Sequence, residues 1–125
     1  MSRTTGDALT ATLGDMVVIN LPDRKDRRDE FTVQLNRIGL SFADSRVRLF
    51  QAIRPADHGG FPTVGAHGCF LSHLGALTEA RDRDADSLLI CEDDLDFSET
   101  LITQGRTLLT ELEKHPWDIF YGGFA

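Results

Sequence analysis

Leu88-Leu89-Ile90-Cys91-Glu92-Asp93-Asp94-Leu95-Asp96 is the stretch on which the fold turns, because an apolar run changes within one residue into a cluster of four carboxylates. A short uninterrupted apolar segment reads as a strand buried on both faces of a parallel sheet. Ligands of open α/β sheets gather beyond the carboxyl ends of such strands, which is where the acids fall. Ionised together, Glu92, Asp93, Asp94 and Asp96 repel one another unless a cation or a basic group offsets them, so a divalent metal is one reading. A solvated acidic turn leading into the next helix is the other.

Outward from this stretch, the same alternation of strand and helix signals recurs. Upstream, Met16-Val-Val-Ile-Asn20 is a β-branched strand, ended by Leu21-Pro22. Asp23 is placed to cap a helix on which Phe31, Leu35 and Ile38 recur at helical spacing until Gly39. Arg46 to Ile53 reads as a second strand, and Arg54 to Pro62 as a loop. A helix is predicted from Thr63 or Gly65 to about Arg83, carrying Phe70, Leu74 and Leu77 at i, i+4, i+7. Gly65, Gly68 and Gly75 cost helix stability, which implies close approach by another backbone or a ligand. Downstream, Ser87 to Cys91 is the central strand, Ser98 caps a helix through Glu113 that Pro116 stops, and Trp117 to Tyr121 reads as a fourth strand. The order implies an α/β fold, a mostly parallel sheet flanked by helices.

At 125 residues, the chain suits one domain with a real core. Residues 1–15 read as a flexible N-terminal arm without the pattern of a secretory signal, and residues 16–125 as the domain. With 41% hydrophobic and 26% charged residues and no apolar run near bilayer length, a membrane span is not expected. A net charge of −7 argues against a nucleic-acid surface. The charge is uneven, however: Arg24, Lys25, Arg27 and Arg28 crowd the first turns of the Asp23 helix, the end where the dipole disfavours cations. A bound anion would favour bases there, as would salt bridges to Asp26, Asp29 or Glu30.

Cys69 and Cys91 lack zinc-set spacing and read as free thiols in a reducing compartment, with a single disulfide as the alternative. Cys69 reads as a small buried hydrophobe rather than a nucleophile. Cys69 and His73 share a helix face at i, i+4, whereas His67 and His73 do not, and two ligands make no metal site. His73 fits a buried hydrogen-bonded histidine, a nucleotide contact or a metal ligand.

Three blocks taken together resemble glycosyltransferase family 25, which includes bacterial lipooligosaccharide galactosyltransferases and animal collagen galactosyltransferases. They are Val18-Ile19-Asn20-Leu21 with Asp26-Arg27-Arg28, then Gly68-Cys69-Phe70-Leu71-Ser72-His73, then Leu89-Ile90-Cys91-Glu92-Asp93-Asp94, with Trp117-Asp118 following. The resemblance implies a GT-A (Rossmann-like) nucleotide-sugar-binding half and inverting transfer of a hexose such as galactose. The donor would be a UDP-sugar, the acceptor a glycan or lipooligosaccharide hydroxyl, and the cofactor Mn2+ or Mg2+. Matched onto this chain, Glu92, Asp93 and Asp94 are the metal and diphosphate residues. Asn20, Leu21, Arg24, Arg27, Gly68, Ser72 and His73 are the donor-binding ones. Asp96 is a candidate for the base that an inverting transfer needs.

Ala66-His67 departs from the family's usual Glu-Ile between the two glycines, which predicts a lost polar contact. Family members are also longer, so the chain is expected to be the donor-side part of such an enzyme. The alternative is a shortened non-catalytic relative that binds nucleotide-sugars or partners. The expected location is cytoplasmic, with a peripheral place at the inner membrane face left open. A homo-oligomer is anticipated through an edge strand at Trp117 to Tyr121.

Overall fold

The computed structural model describes residues 3–122. Its elements run α1 (Thr5–Leu13), β1 (Met16–Asn20), α2 (Lys25–Arg37), β2 (Val47–Gln51), α3 (Val64–Asp82), β3 (Leu89–Glu92) and α4 (Glu99–Glu113). The sheet is parallel in the order β2-β1-β3, with Met16 opposite both Val47 and Leu89. Each return to the sheet therefore crosses over through a helix-bearing segment, as parallel pairing requires. Because the registers match, Asn20, Gln51 and Glu92 end at one edge.

All five residues of β1 are buried, whereas β3 is only partly covered. The doubly buried strand is thus Met16–Asn20, and the apolar run before the acids lies at the sheet's edge among the described residues. Strand alternation sorts β1 into two faces. Met16 and Val18 join Phe31, Leu35, Ile38, Cys91 and Leu109 in one core, under α1, α2 and α4. α3 covers the opposite face. There Ala76 and Ala80 are buried, and a methyl group at Gly75 would meet the Phe50 ring at 2.5 Å.

Residues 5–13, expected within a flexible arm, instead form a docked helix. Thr4 and Asp7 make a reciprocal capping box: the Thr4 hydroxyl accepts from the Asp7 amide at 3.0 Å, and the Asp7 carboxylate from the Thr4 amide at 3.0 Å. Leu9 and Leu13 at i, i+4 are buried. Thr5 donates to the Ile102 carbonyl and Thr12 to Glu113, binding α1 to α4. A composition rich in Thr, Ala and Gly concealed the two leucines that anchor it.

Trp117 to Tyr121, expected as a fourth strand, is irregular and exposed, with Tyr121 77% accessible. A strand needs a ladder partner as well as β-branched and aromatic side chains, and no described strand pairs with this segment. The edge on which self-association was anticipated does not form there. Asp23 does not cap α2 either; the cap position is Arg24, whose side chain makes no capping bond, and Asp23 lies beside Arg54 at 3.3 Å. Ser98 caps α4 as expected, accepting from the Leu101 amide at 3.1 Å. No helix among the described residues is long and apolar enough to cross a membrane.

Arg46 fastens α1 to the start of β2. It donates to Asp7 at 2.8 Å and to both carboxylate oxygens of Asp44, at 3.0 and 2.8 Å. These bonds raise the Arg46 guanidinium above its ordinary value and hold the Asp44 carboxyl down at about 2.

Two outcomes follow from this packing. Leu9→Ala should lower unfolding free energy by about 2–4 kcal/mol in urea titrations, the cost of emptying a core leucine site; a loss below about 0.5 kcal/mol would mean α1 is not docked. The Asp44 contribution is fully present above its ordinary value of 3.8 and is lost as pH falls through about 2. Asp44→Asn should therefore flatten the stability profile between pH 4 and 2, read by thermal melts across that range.

Candidate functional site

The carboxyl ends of the three parallel strands open into a cleft of about 470 Å³. Its wall combines Ile19 of β1 and Leu21 just beyond it, the Ala52-Ile53-Arg54-Pro55 segment after β2, and Glu92 at the end of β3 with Asp93 and Asp94 following. Val64, Gly65, Gly68, Cys69 and Ser72 of α3 close it. This is the position where open parallel sheets bind ligands, since loops diverge there and leave a crevice.

Beneath the cleft, Asn20 is 2% exposed and joins three segments. Its amide NH2 donates to Asp93 Oδ2 at 2.8 Å and to the Arg24 carbonyl at 3.2 Å, while its carbonyl accepts from Arg28 at 2.8 Å. Only the NH2 can serve a carboxylate and only the C=O a guanidinium, so the network dictates the amide's orientation. Arg27 lies 4.0 Å from the other oxygen of Asp93. Asp93 is therefore engaged by partners from within the chain. Glu92 and Asp94 face the cleft, and among the described residues Asp94 has no hydrogen-bonding or ion-pair partner.

The basic cluster is resolved in the same way. Arg24 forks onto Asp26 at 3.0 Å through two nitrogens, which pulls the Asp26 carboxyl down to about 2 and raises Arg24. Lys25 pairs with Asp29 at 2.9 Å. Arg28 donates to Asn20 and to the Pro22 carbonyl at 3.0 Å. Local acids and backbone carbonyls hold these bases at the start of α2, and Arg24 does not line the cleft.

The α3 block divides by role. A methyl group at Gly68 would sit 2.7 Å from the Ile53 carbonyl oxygen, so the close approach expected there is real and is made by backbone. At Gly65 the nearest contact would be 3.8 Å away, in ordinary packing. Ser72 is buried and its hydroxyl accepts from the Ile53 amide at 2.8 Å, fastening the end of β2 to α3. Cys69, expected to be buried, is exposed; the buried cysteine is Cys91, and both are free thiols. Burial pushes the Cys91 thiol up to about 12. Partial burial first, and then Glu92, raise the Cys69 thiol, which disfavours a thiolate nucleophile.

Cys69 donates to Glu92 Oε1 at 3.3 Å, and His73 Nε2 lies 3.5 Å from the same oxygen. Cys69, His73 and Glu92 thus converge, with their ligand atoms all within 4.8 Å of one another. Glu92, Asp93 and Asp94 do not converge as one such set among the described residues. His73 and Asp96 are not part of the cleft wall.

His67, where a polar contact was expected to be lost, makes one. Its Nδ1 is 2.7 Å from the Asp57 carbonyl and its ring stacks on Phe61 at 5.4 Å, holding the loop before α3. Arg54, expected in that loop, lines the cleft while its guanidinium pairs with Asp23 at 3.3 Å. Its place directly after a strand at the carboxyl edge was the available signal.

Asn20→Ala would leave Asp93 and Arg28 without their shared partner. A loss of about 1–3 kcal/mol is expected in urea unfolding, the cost of leaving partly buried polar groups unpartnered. An unchanged midpoint would show that solvent satisfies both groups.

Comparison with known proteins agrees with this geometry. The chain matches, over residues 48–120, the family model described as Glycosyltransferase family 25 (LPS biosynthesis protein). It is 28% identical to procollagen galactosyltransferase 1-B of Xenopus laevis and 38% identical to procollagen galactosyltransferase 1 of Danio rerio, in each case over 87% of this chain and 21% of the relative. It is 29% identical, over the same shares, to a Bos taurus protein named probable inactive glycosyltransferase 25 family member 3. The chain spans about a fifth of the length of these curated relatives. No solved structure matches it. The matched span runs from β2 through the acids after β3 to the segment beyond α4, so most of the cleft wall lies inside it, and the chain belongs to glycosyltransferase family 25.

Proposed function

We propose that this chain is the donor-binding side of an inverting glycosyltransferase of GT-A type. In this reading it takes a hexose such as galactose from a UDP-sugar and delivers it to a hydroxyl of a glycan or lipooligosaccharide. The observation that carries the reading is the cleft at the carboxyl ends of three parallel strands, whose wall includes Glu92, Asp94 and the cationic Arg54. Galactose is favoured because similar proteins are named procollagen galactosyltransferases.

Mn2+ or Mg2+ suits the donor set, since both ions take hard oxygen ligands and usually need only one or two protein carboxylates beside the substrate's phosphates. Glu92 and Asp94 would hold the ion, and Asp93, already bonded to Asn20, would support them. Bound there, such an ion supplies charge neutralisation for a diphosphate leaving group. The chain's own residues do the rest: Asn20 and Arg27 orient Asp93, Gly68 lets the Ile53 backbone close against α3, and Arg54, which pairs with Asp23 at 3.3 Å, would exchange that partner for phosphate oxygens. Asp96 is not among the cleft residues, and a base for the acceptor hydroxyl is sought in the greater part of the relatives that this chain does not span.

A second reading, a non-catalytic relative that retains nucleotide-sugar binding, is favoured by the relative named as inactive. Titration calorimetry distinguishes these from a protein with neither property. UDP should bind in the presence of Mn2+, weaken on chelation, and weaken about 10–100-fold in Asp94→Asn, the scale on which metal sites respond to altered ligand support. Sugar transfer or hydrolysis alongside binding identifies the enzyme, and binding without turnover the second reading. Folded protein that binds neither UDP nor Mn2+ overturns both.

A further inference from the structure

The convergence of Cys69 and His73 of α3 with Glu92 of β3 has a chemistry different from that of the acids beside it. Cys69 and His73 stand one helical turn apart, so their side chains leave α3 on the same side. The parallel register sets Glu92 opposite Ile19, on the face of the sheet that α3 covers. Two ligands on one helix thus meet a third from the end of a neighbouring strand, a relationship that neither segment has alone.

We propose that Cys69, His73 and Glu92 form a site for a borderline-soft divalent cation, Zn2+, with three protein ligands and a fourth position open to solvent. A thiolate, an imidazole and a carboxylate are all common zinc ligands, and open sites hold three protein ligands. Bonds of about 2.3 Å to sulfur and about 2.0 Å to nitrogen and oxygen, at tetrahedral angles, place ligand atoms roughly 3.3–3.6 Å apart. The sulfur–oxygen and nitrogen–oxygen separations here are 3.3 and 3.5 Å, within or at the edge of that range, and all three ligand atoms lie within 4.8 Å of one another. Side-chain accessibilities of 39% for His73 and 52% for Glu92 leave a path for entry.

The other soft or nitrogen ligands nearby are committed elsewhere: Cys91 is buried in the opposite core, and His67 is engaged by Asp57 and Phe61. Thiolate and imidazole select zinc over manganese or magnesium, which prefer oxygen sets. As the zinc–sulfur bond forms, the Cys69 proton passes to solvent. Because Glu92 also faces the cleft, zinc would withdraw one carboxylate from it. The site itself does not rest on the nucleotide-sugar reading.

Titration of the folded chain with Zn2+ alone, and with Co2+ as a spectroscopic stand-in, tests this without any nucleotide. One zinc per chain is expected, and the cobalt form should show a thiolate-to-metal charge-transfer band with tetrahedral visible bands. Cys69→Ser should abolish the charge-transfer band, and His73→Ala should weaken zinc binding by more than about tenfold, since even outer-shell changes cost that much. Cys91→Ala should retain the band. In the unsubstituted protein, Zn2+ but not Mn2+ should protect Cys69 from alkylation by iodoacetamide, a readout that needs no variant to fold. No band in the unsubstituted protein, a band that persists in Cys69→Ser, wild-type zinc affinity in His73→Ala, or unprotected Cys69 would overturn the proposal.

Discussion

Strand β1 hydrogen-bonds to a parallel partner on each side, and its residues are buried throughout. A strand so enclosed has no exposed ladder groups and no face on which a one-residue slip would go unpunished. Its register therefore aligns the ends of β2 and β3 as well. The cleft follows from that alignment, because the chain must leave all three strands at one edge and turn outward. Loss of β1 packing would scatter every residue of the site at once.

Asn20 terminates that strand and converts its position into electrostatics. Buried polar groups require partners, and this amide takes a carboxylate on one side and a guanidinium on the other. Three consecutive acids are thereby made unequal. Asp93 is tied to Asn20 and Arg27, Glu92 turns toward Cys69 and His73, and Asp94 stays directed at the cleft. Part of the repulsion expected among them is offset by the Asn20 amide and the Arg27 guanidinium that face Asp93.

The result is two adjacent chemistries that share Glu92. Hard oxygen donors line the cleft, and a thiol and an imidazole stand beside it. Proteins discriminate metals by ligand type and geometry, and the two proposed sets differ in both. At the electropositive start of α2 the arginines and lysine pair with Asp26, Asp29, Asn20 and Asp93.

Local sequence by itself determined most of the elements. The apolar run Met16–Ile19, the helical spacing of Phe31 and Leu35, the Ser98 cap and the strand ahead of Glu92 are nearest-neighbour patterns that hold wherever the segment is placed. Family membership was legible for a related reason: three short blocks retain their order and spacing. Tertiary structure alone decided what depends on partners distant in the chain. Leu9 and Leu13 become a helix anchor only against α4, and Trp117–Tyr121 has strand-forming side chains without a strand to pair with. Cys69 and His73 acquire a third ligand only when the parallel register carries Glu92 to them, because a side chain's neighbours across a sheet are set by hydrogen-bond register and not by separation along the chain.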